Sequence, residues 1–116
     1  LQGVPVTASV VLDVRFLPNP YFQDQLRSLS GDDDAVVTWF GQFPEVDDAI
    51  ERLMNLLLYL LPRYAHELKA EVTIAVGCTG GRHRSVFVAK RIGAAIREAG
   101  YEVVVHHRDM DRWRYS

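Results

Sequence analysis

Two hydrophobic periods share this chain. From Ala8 to Phe16 (ASVVLDVRF) the residues are β-prone and mostly apolar, which predicts a strand buried in a sheet. Leu17-Pro18-Asn19-Pro20 follows, and two prolines two apart exclude helix and predict a fixed extended loop. Tyr21 to Leu29 predicts a short helix with Pro20 at its start, and Ser30-Gly31-Asp32-Asp33-Asp34 a polar turn. Ala35 to Phe43 (AVVTWFGQF) fits a short helix or a strand equally, with Trp39 read as core. From Pro44-Glu45 the period changes. Val46, Ile50, Leu53, Leu57, Leu60 or Leu61, Tyr64 and Leu68 recur at three and four residues, the apolar stripe of one long helix. Acidic residues crowd its first turns, as the helix dipole favours, and Pro62 predicts a kink or a split. A coiled coil is the alternative for this stripe; flanking strands favour a crossover helix.

Glu71 to Val76 predicts a second strand, Arg84 to Glu98 a second long helix, and Glu102 to His106 a third strand. Val88 or Ala89, Ile92, Gly93 and Ile96 share the face of that helix, and Gly100 suits the residue just past its end. Strand, helix, strand over about 30 residues is the βαβ pattern. The expected fold is α/β: a small, mostly parallel sheet with flanking helices and a ligand site at the strand C-terminal ends. Residues 1–116 are read as one domain, opening on a turn at Gly3-Val4-Pro5, with 107–116 as a polar, aromatic tail.

Composition narrows this only slightly. The 116 residues are 48% hydrophobic and 24% charged with net charge −2, an ordinary globular balance with no global field for nucleic acid or membrane. The charge is unevenly spread. Asp32 to Glu51 is acidic, while Arg82 to Arg114 holds eight Lys/Arg against four Asp/Glu, which predicts a local basic face. A single cysteine excludes an intrachain disulfide and a cysteine zinc cluster. The opening residues lack the charged and apolar regions of a signal peptide, and the longest apolar run, Leu56 to Leu61, is far below the ~18 residues of a membrane span. A cytoplasmic protein without membrane association is expected. The chain starts at Leu1, so a piece of a longer protein, or a trimmed one, is expected too.

The chemistry gathers at Thr73-Ile74-Ala75-Val76-Gly77-Cys78-Thr79-Gly80-Gly81-Arg82-His83-Arg84-Ser85. A strand runs into a glycine turn and then a helix, whose first N–H groups and positive dipole end suit an anion. Arg82, His83 and Arg84 add charge and donors, so a phosphate-bearing ligand is expected. A P-loop needs a Lys-Ser or Lys-Thr, and neither occurs; G-x-G-x-x-G is absent as well. Cys78, Gly81, Arg84 and Ser85 do form C-x-x-G-x-x-R-S, which resembles the phosphate loop of cysteine-dependent phosphatases. There Cys78, Arg84 and Ser85 would be catalytic. Against this, Gly77 stands where a histidine usually precedes the cysteine, and no general-acid segment is evident. Phosphate binding without chemistry, with Cys78 a small buried residue, is the leading reading. Asp13 and Arg15 stand at a strand end, as ligand groups or as a structural pair. Asp32-Asp33-Asp34 lacks the alternation of an EF-hand loop and reads as a solvated turn, so no metal and no cofactor is expected.

Three blocks carry a closer resemblance: Asp13-Val14-Arg15-Phe16-Leu17-Pro18-Asn19-Pro20, Gly77 to Val86, and His107-Arg108-Asp109. In order and separation they are similar to the C-terminal domain of the RapZ family, the RNase adapter proteins of bacteria, and Gly3-Val4-Pro5 resembles its start. The resemblance covers nearly the whole chain. It implies a domain that binds glucosamine-6-phosphate, contacts a small regulatory RNA, works with an RNase or signalling protein, and follows a P-loop kinase-like domain that carries the nucleotide motifs. Nucleotide binding is therefore not carried over to these residues. By matching positions the ligand contacts fall at Asp13, Arg15, Cys78, Thr79, Gly80, Gly81, Arg82, His83, Arg84, Ser85, His107 and Arg108. Loop amides from Thr79 to Arg82 and the Arg84 guanidinium would take the phosphate, and Asp13 the sugar amine or hydroxyls. Arg82, Arg112, Trp113, Arg114 and Tyr115 would supply charge and stacking to RNA. Two departures stand out. Tyr21-Phe22 replaces a histidine followed by an aromatic residue, and Asp109 and Asp111 dilute the basic tail. Exposed apolar helix faces leave room for homo-oligomers.

Overall fold

The computed structural model describes residues 8–68, 72–101 and 103–109. Three strands, β1 (Ala8–Asp13), β2 (Val72–Cys78) and β3 (Val103–Asp109), form one parallel sheet in the order β1-β2-β3. Helices α1 (Asp34–Phe40) and α2 (Pro44–Leu68) connect β1 to β2, and α3 (Arg84–Glu98) connects β2 to β3. The strand order advances in one direction, so right-handed crossovers put the connecting helices on one face. There α2 and α3 pack on each other and on β2. The α/β expectation holds, with every strand parallel.

Burial follows the pattern of the chain. Val11 and Asp13 of β1 are exposed while Leu12 and Val14 are buried, the alternation of an edge strand. Central β2 is buried on both faces from Thr73 to Cys78, which is why it reads as an unbroken apolar run. On α2 the buried line is Val46, Ile50, Met54, Leu57 and Leu61, and on α3 it is Val88, Ala89, Ile92, Gly93 and Ile96. Phe40 of α1 stacks on Phe87 of α3 with centroids 4.3 Å apart. The end of α3 closes as expected: Gly100 has φ 93°, its N–H donates to Arg97 O, and Tyr101 N–H donates back to Ile96 O.

Several boundaries differ from expectation, each for a local reason. β1 stops at Asp13, not Phe16, because the Asp13 carboxylate accepts from Arg15 N and Leu17 N turns back to Val14 O. Tyr21 to Leu29 is not a helix. Only Pro20–Phe22 forms a 3-10 turn, capped by Asn19 Oδ1, and separate turns follow, since Leu26 is the one buried side chain from 21 to 29. Residues 35–43, left open, hold α1. α2 is one helix through Pro62, not split. Pro62 lies on the solvent side, and Arg63 reaches back to donate to Tyr59 O at 2.7 Å. β3 runs on to Asp109, so His107 and Arg108 are strand residues rather than tail. The three aspartates divide: Asp33 accepts from Ser30 N, Asp34 opens α1, and Asp32 lies 3.8 Å from Lys90. No helix among the described residues is long and apolar enough to cross a membrane.

Candidate functional site

The sheet register brings the three charged blocks to one end. Asp13 pairs with Gly77, Gly77 with Arg108, and Cys78 with Asp109. Beyond Cys78 the chain turns through Thr79–His83, with Gly80 at φ 80° and Gly81 at φ 66°. These are left-handed values that cost an L side chain about 1–2 kcal/mol, so glycine is required by backbone conformation. At Gly80 nothing lies within 4 Å of where a Cβ would stand, so steric space is not the constraint.

Beneath the turn lies a buried floor. Cys78 has no exposed surface; its Sγ accepts from Ser85 N at 3.2 Å and lies 3.3 Å from Ser85 Oγ, so strand end and helix start are joined through sulfur. His83 is buried with its ring Nε2 2.9 Å from Leu26 O. Arg84, 5% exposed, donates through Nη1 to Arg15 O and, at 3.3 Å, to Leu17 O. Its guanidinium therefore pins the 15–17 turn against the start of α3. Arg84 Nε is the one buried side-chain nitrogen or oxygen without a hydrogen-bond partner among the described residues. Gly31 completes this floor. Its N–H donates to Arg82 O at 2.8 Å, and a Cβ there would fall 2.1 Å from His83 O and 2.6 Å from Phe87 N.

Above the floor is an exposed rim. Asn19, Tyr21, Phe22, Arg27, Thr79, Gly80, Arg82 and His83 line a cleft of about 510 Å³. Tyr21 and Phe22 are exposed and meet edge to face, and Arg27 stacks on Tyr21 while donating to Tyr21 O. Arg82 is exposed and donates weakly to Arg27 O, at 3.3 Å. Gly80 N–H donates to Asp109 Oδ1 at 3.1 Å. Beside the turn, Arg15 holds Asp13 with both Nε and Nη2, the shortest contact 2.7 Å. Those hydrogen bonds hold the Asp13 carboxyl below its ordinary value, against partial burial, and the charges of Arg15 and Arg84 act in the same direction.

The expected site residues thus fall into groups. Thr79, Gly80, Arg82 and His83 line the cleft; Cys78, Arg84 and Ser85 lie under it; Asp13 and Arg15 pair beside it. His107 is not in the cleft lining but faces α3 beside Ala89 and Gly93. Arg108 is placed by its register with Gly77, while Arg112, Trp113, Arg114 and Tyr115 lie outside the described residues. Asn19, Phe22, Arg27 and Gly31 were not expected as site or floor residues. Only the pair of exposed aromatics after two prolines gave a hint of them.

The pattern described as the RapZ C-terminal domain matches residues 1–111. The chain belongs to this family. A protein of Rhodospirillum centenum is 52% identical over 96% of the chain, and one of Novosphingobium aromaticivorans 50% identical over 94%. A third, from Acidobacterium capsulatum, is 47% identical over 96%. All three are named nucleotide-binding proteins. The chain covers 33%, 36% and 36% of their respective lengths, so it corresponds to about a third of each.

Proposed function

We propose that this domain is a non-catalytic binding domain for a phosphorylated amino sugar of the glucosamine-6-phosphate type, coupled to a small regulatory RNA and an RNase or signalling protein. The observation that carries the ligand reading is the hydrogen bond from Gly80 N–H to the Asp109 carboxylate: the turn already holds an anion, one from its own chain. A ligand phosphate would take that amide and its neighbours, with Arg82 on the rim as the exposed cation. The cleft volume suits a sugar phosphate, and the faces of Tyr21 and Phe22 suit the apolar side of a pyranose ring. Arg84, expected as the phosphate clamp, has Nη1 committed to two carbonyls, so its contribution is position and field.

The phosphatase reading needs Cys78 as an exposed thiolate, and its sulfur is buried and bonded within the floor. Family membership supports the RNA and protein partners, and within residues 79–84 Arg82 presents an exposed basic side chain. Titration calorimetry with glucosamine-6-phosphate tests the reading. Saturable heat is expected from the parent chain and from Cys78→Ala, with binding lost in Gly80→Ala, where the left-handed φ is disfavoured. No heat with the parent, or turnover of an aryl phosphate abolished in Cys78→Ala, would overturn it.

A further inference from the structure

A second cavity lies on the other side of α3. Ala89, Gly93 and Arg97 stand four residues apart on one ridge of the helix, with Lys90 three residues before Gly93. Across from them Val105 and His107, two apart on β3, share a face of the strand. These six residues enclose a notch of about 270 Å³ that shares no residue with the glycine-turn cleft. Its floor is apolar (Ala89, Gly93, Val105) and its walls are cationic or titratable (Lys90, Arg97, His107).

The positive groups are poorly compensated. Among the described residues, neither the Arg97 nor the His107 side chain has a hydrogen-bond or ion-pair partner, and Lys90 has one long pair, 3.8 Å from Asp32. Asp32 is an acidic group within electrostatic reach of Lys90 and His107. Gly93 adds an independent sign. Glycine inside a helix is less favourable than alanine. Yet the nearest neighbours of a Cβ here would be the Arg97 terminal nitrogens at 3.8 Å and Val105 Cγ2 at 3.9 Å, ordinary contact distances. Packing therefore does not demand glycine at this position. What the missing methyl leaves is a strip of floor between the Arg97 guanidinium and Val105.

We propose that this notch is an anion site of its own, taking the phosphate group of a small phosphorylated metabolite. A phosphate monoester carries close to two negative charges at neutral pH, which Lys90 and Arg97 match, and His107 adds a donor. The carbon part lies on Ala89, Gly93 and Val105. The site is separate from the turn and does not rest on the reading of the cleft.

An NMR titration of the chain with glycerol phosphate tests it. Saturable shifts are expected at the Gly93 amide and the His107 ring, with affinity higher than for inorganic phosphate because only the ester covers the floor. Arg97→Ala is expected to weaken binding roughly tenfold, and Lys90→Ala less, since Asp32 already draws on its charge. Gly93→Ala gives opposite signs in two measurements: a higher melting temperature, from better helix propensity, and weaker glycerol phosphate binding, from a filled floor. Absence of saturable shifts at Gly93 and His107, shifts unchanged in both Arg97→Ala and Gly93→Ala, or inorganic phosphate binding as tightly as the ester would overturn the proposal. So would a short RNA that saturates these signals where glycerol phosphate does not, which would assign the notch to a nucleic-acid backbone.

Discussion

Arg82 and Arg84 stand two residues apart in one glycine-rich turn, and they belong to different parts of the molecule. Arg84 is buried, donates to two backbone carbonyls and ties the turn after β1 to the start of α3. Arg82 is exposed on the rim of the cleft with one weak bond to Arg27 O. The same division runs through the site. Cys78, His83, Ser85 and Gly31 form a floor whose polar groups are used internally, while Thr79, Gly80, Tyr21 and Phe22 form a rim that faces open space. The contrast teaches that charge and motif do not by themselves mark a ligand contact. A side chain buried against the fold and bonded to its backbone shapes a site; one exposed at the rim is placed to meet a ligand.

Substitutions can break or sharpen this contrast. The largest effect is expected at Gly31, which carries no charge and lies under the turn. Gly31→Ala forces a methyl into the His83 carbonyl and the Phe87 amide, and should destabilise by at least about 3 kcal/mol, read as a lower denaturant midpoint. Arg84→Ala comes next. It removes two bonds to backbone carbonyls and leaves a cavity, for a loss of about 2–3 kcal/mol by the same measurement. A stable Arg84→Ala that had lost only glucosamine-6-phosphate binding would return Arg84 to the rim. Arg82→Ala should do the reverse, leaving stability within about 0.5 kcal/mol while weakening the sugar phosphate roughly tenfold in calorimetry. A smaller change is expected from Asp109→Asn. It removes the internal carboxylate that competes for Gly80 N–H, and should tighten phosphate binding a few-fold.

The smallest effect is a pH dependence. The folded chain holds Asp13 below its ordinary 3.8 through the Arg15 hydrogen bonds, so the unfolded chain is protonated first as pH falls. The pair's contribution is whole above the unfolded value and is lost as pH drops through the folded one. Both partners are substantially exposed, at 40% and 45%, so solvent screening limits the pair to about 0.2–1 kcal/mol. Asp13→Asn should lower stability near neutrality by that amount, and the deficit should vanish as pH falls below the ordinary 3.8 and through the folded value. Equal destabilisation at both ends of the range would mean that Asp13 acts through shape.

Much of the architecture was legible along the chain because burial imposes its period on the sequence. The stripes of α2 and α3 and the apolar runs of β1 and β2 reappear as the buried core, and the Gly100 stop lies where expected. Legibility ended where a short segment takes its conformation from a distant contact. Residues 21–29 have helix-compatible composition, but a single buried leucine cannot sustain a helix, and the segment follows the loop across from it. Pro62 does not split α2; it lies on the solvent side, where the Leu58 carbonyl that loses its N–H donor can be hydrated. The strand end of β3 was placed too early because His107, Arg108 and Asp109 are polar residues that a parallel neighbour, β2, holds in the ladder.

The site divides in the same way. The glycine turn and its place between strand and helix follow from local chemistry: positive φ needs glycine, and helix starts present unpaired N–H groups. Family membership, too, is carried by the residues in order. Only tertiary structure decided that Cys78 and Arg84 point into the floor, that Tyr21 and Arg27 wall the cleft, that Asp109 reaches Gly80, and that His107 joins α3 instead of the turn. The physical reason is one of range. Backbone conformation and periodic burial are set by residues a few positions apart. Which donors stay free depends on groups brought together across as many as 69 residues, as Arg84 and Arg15 are.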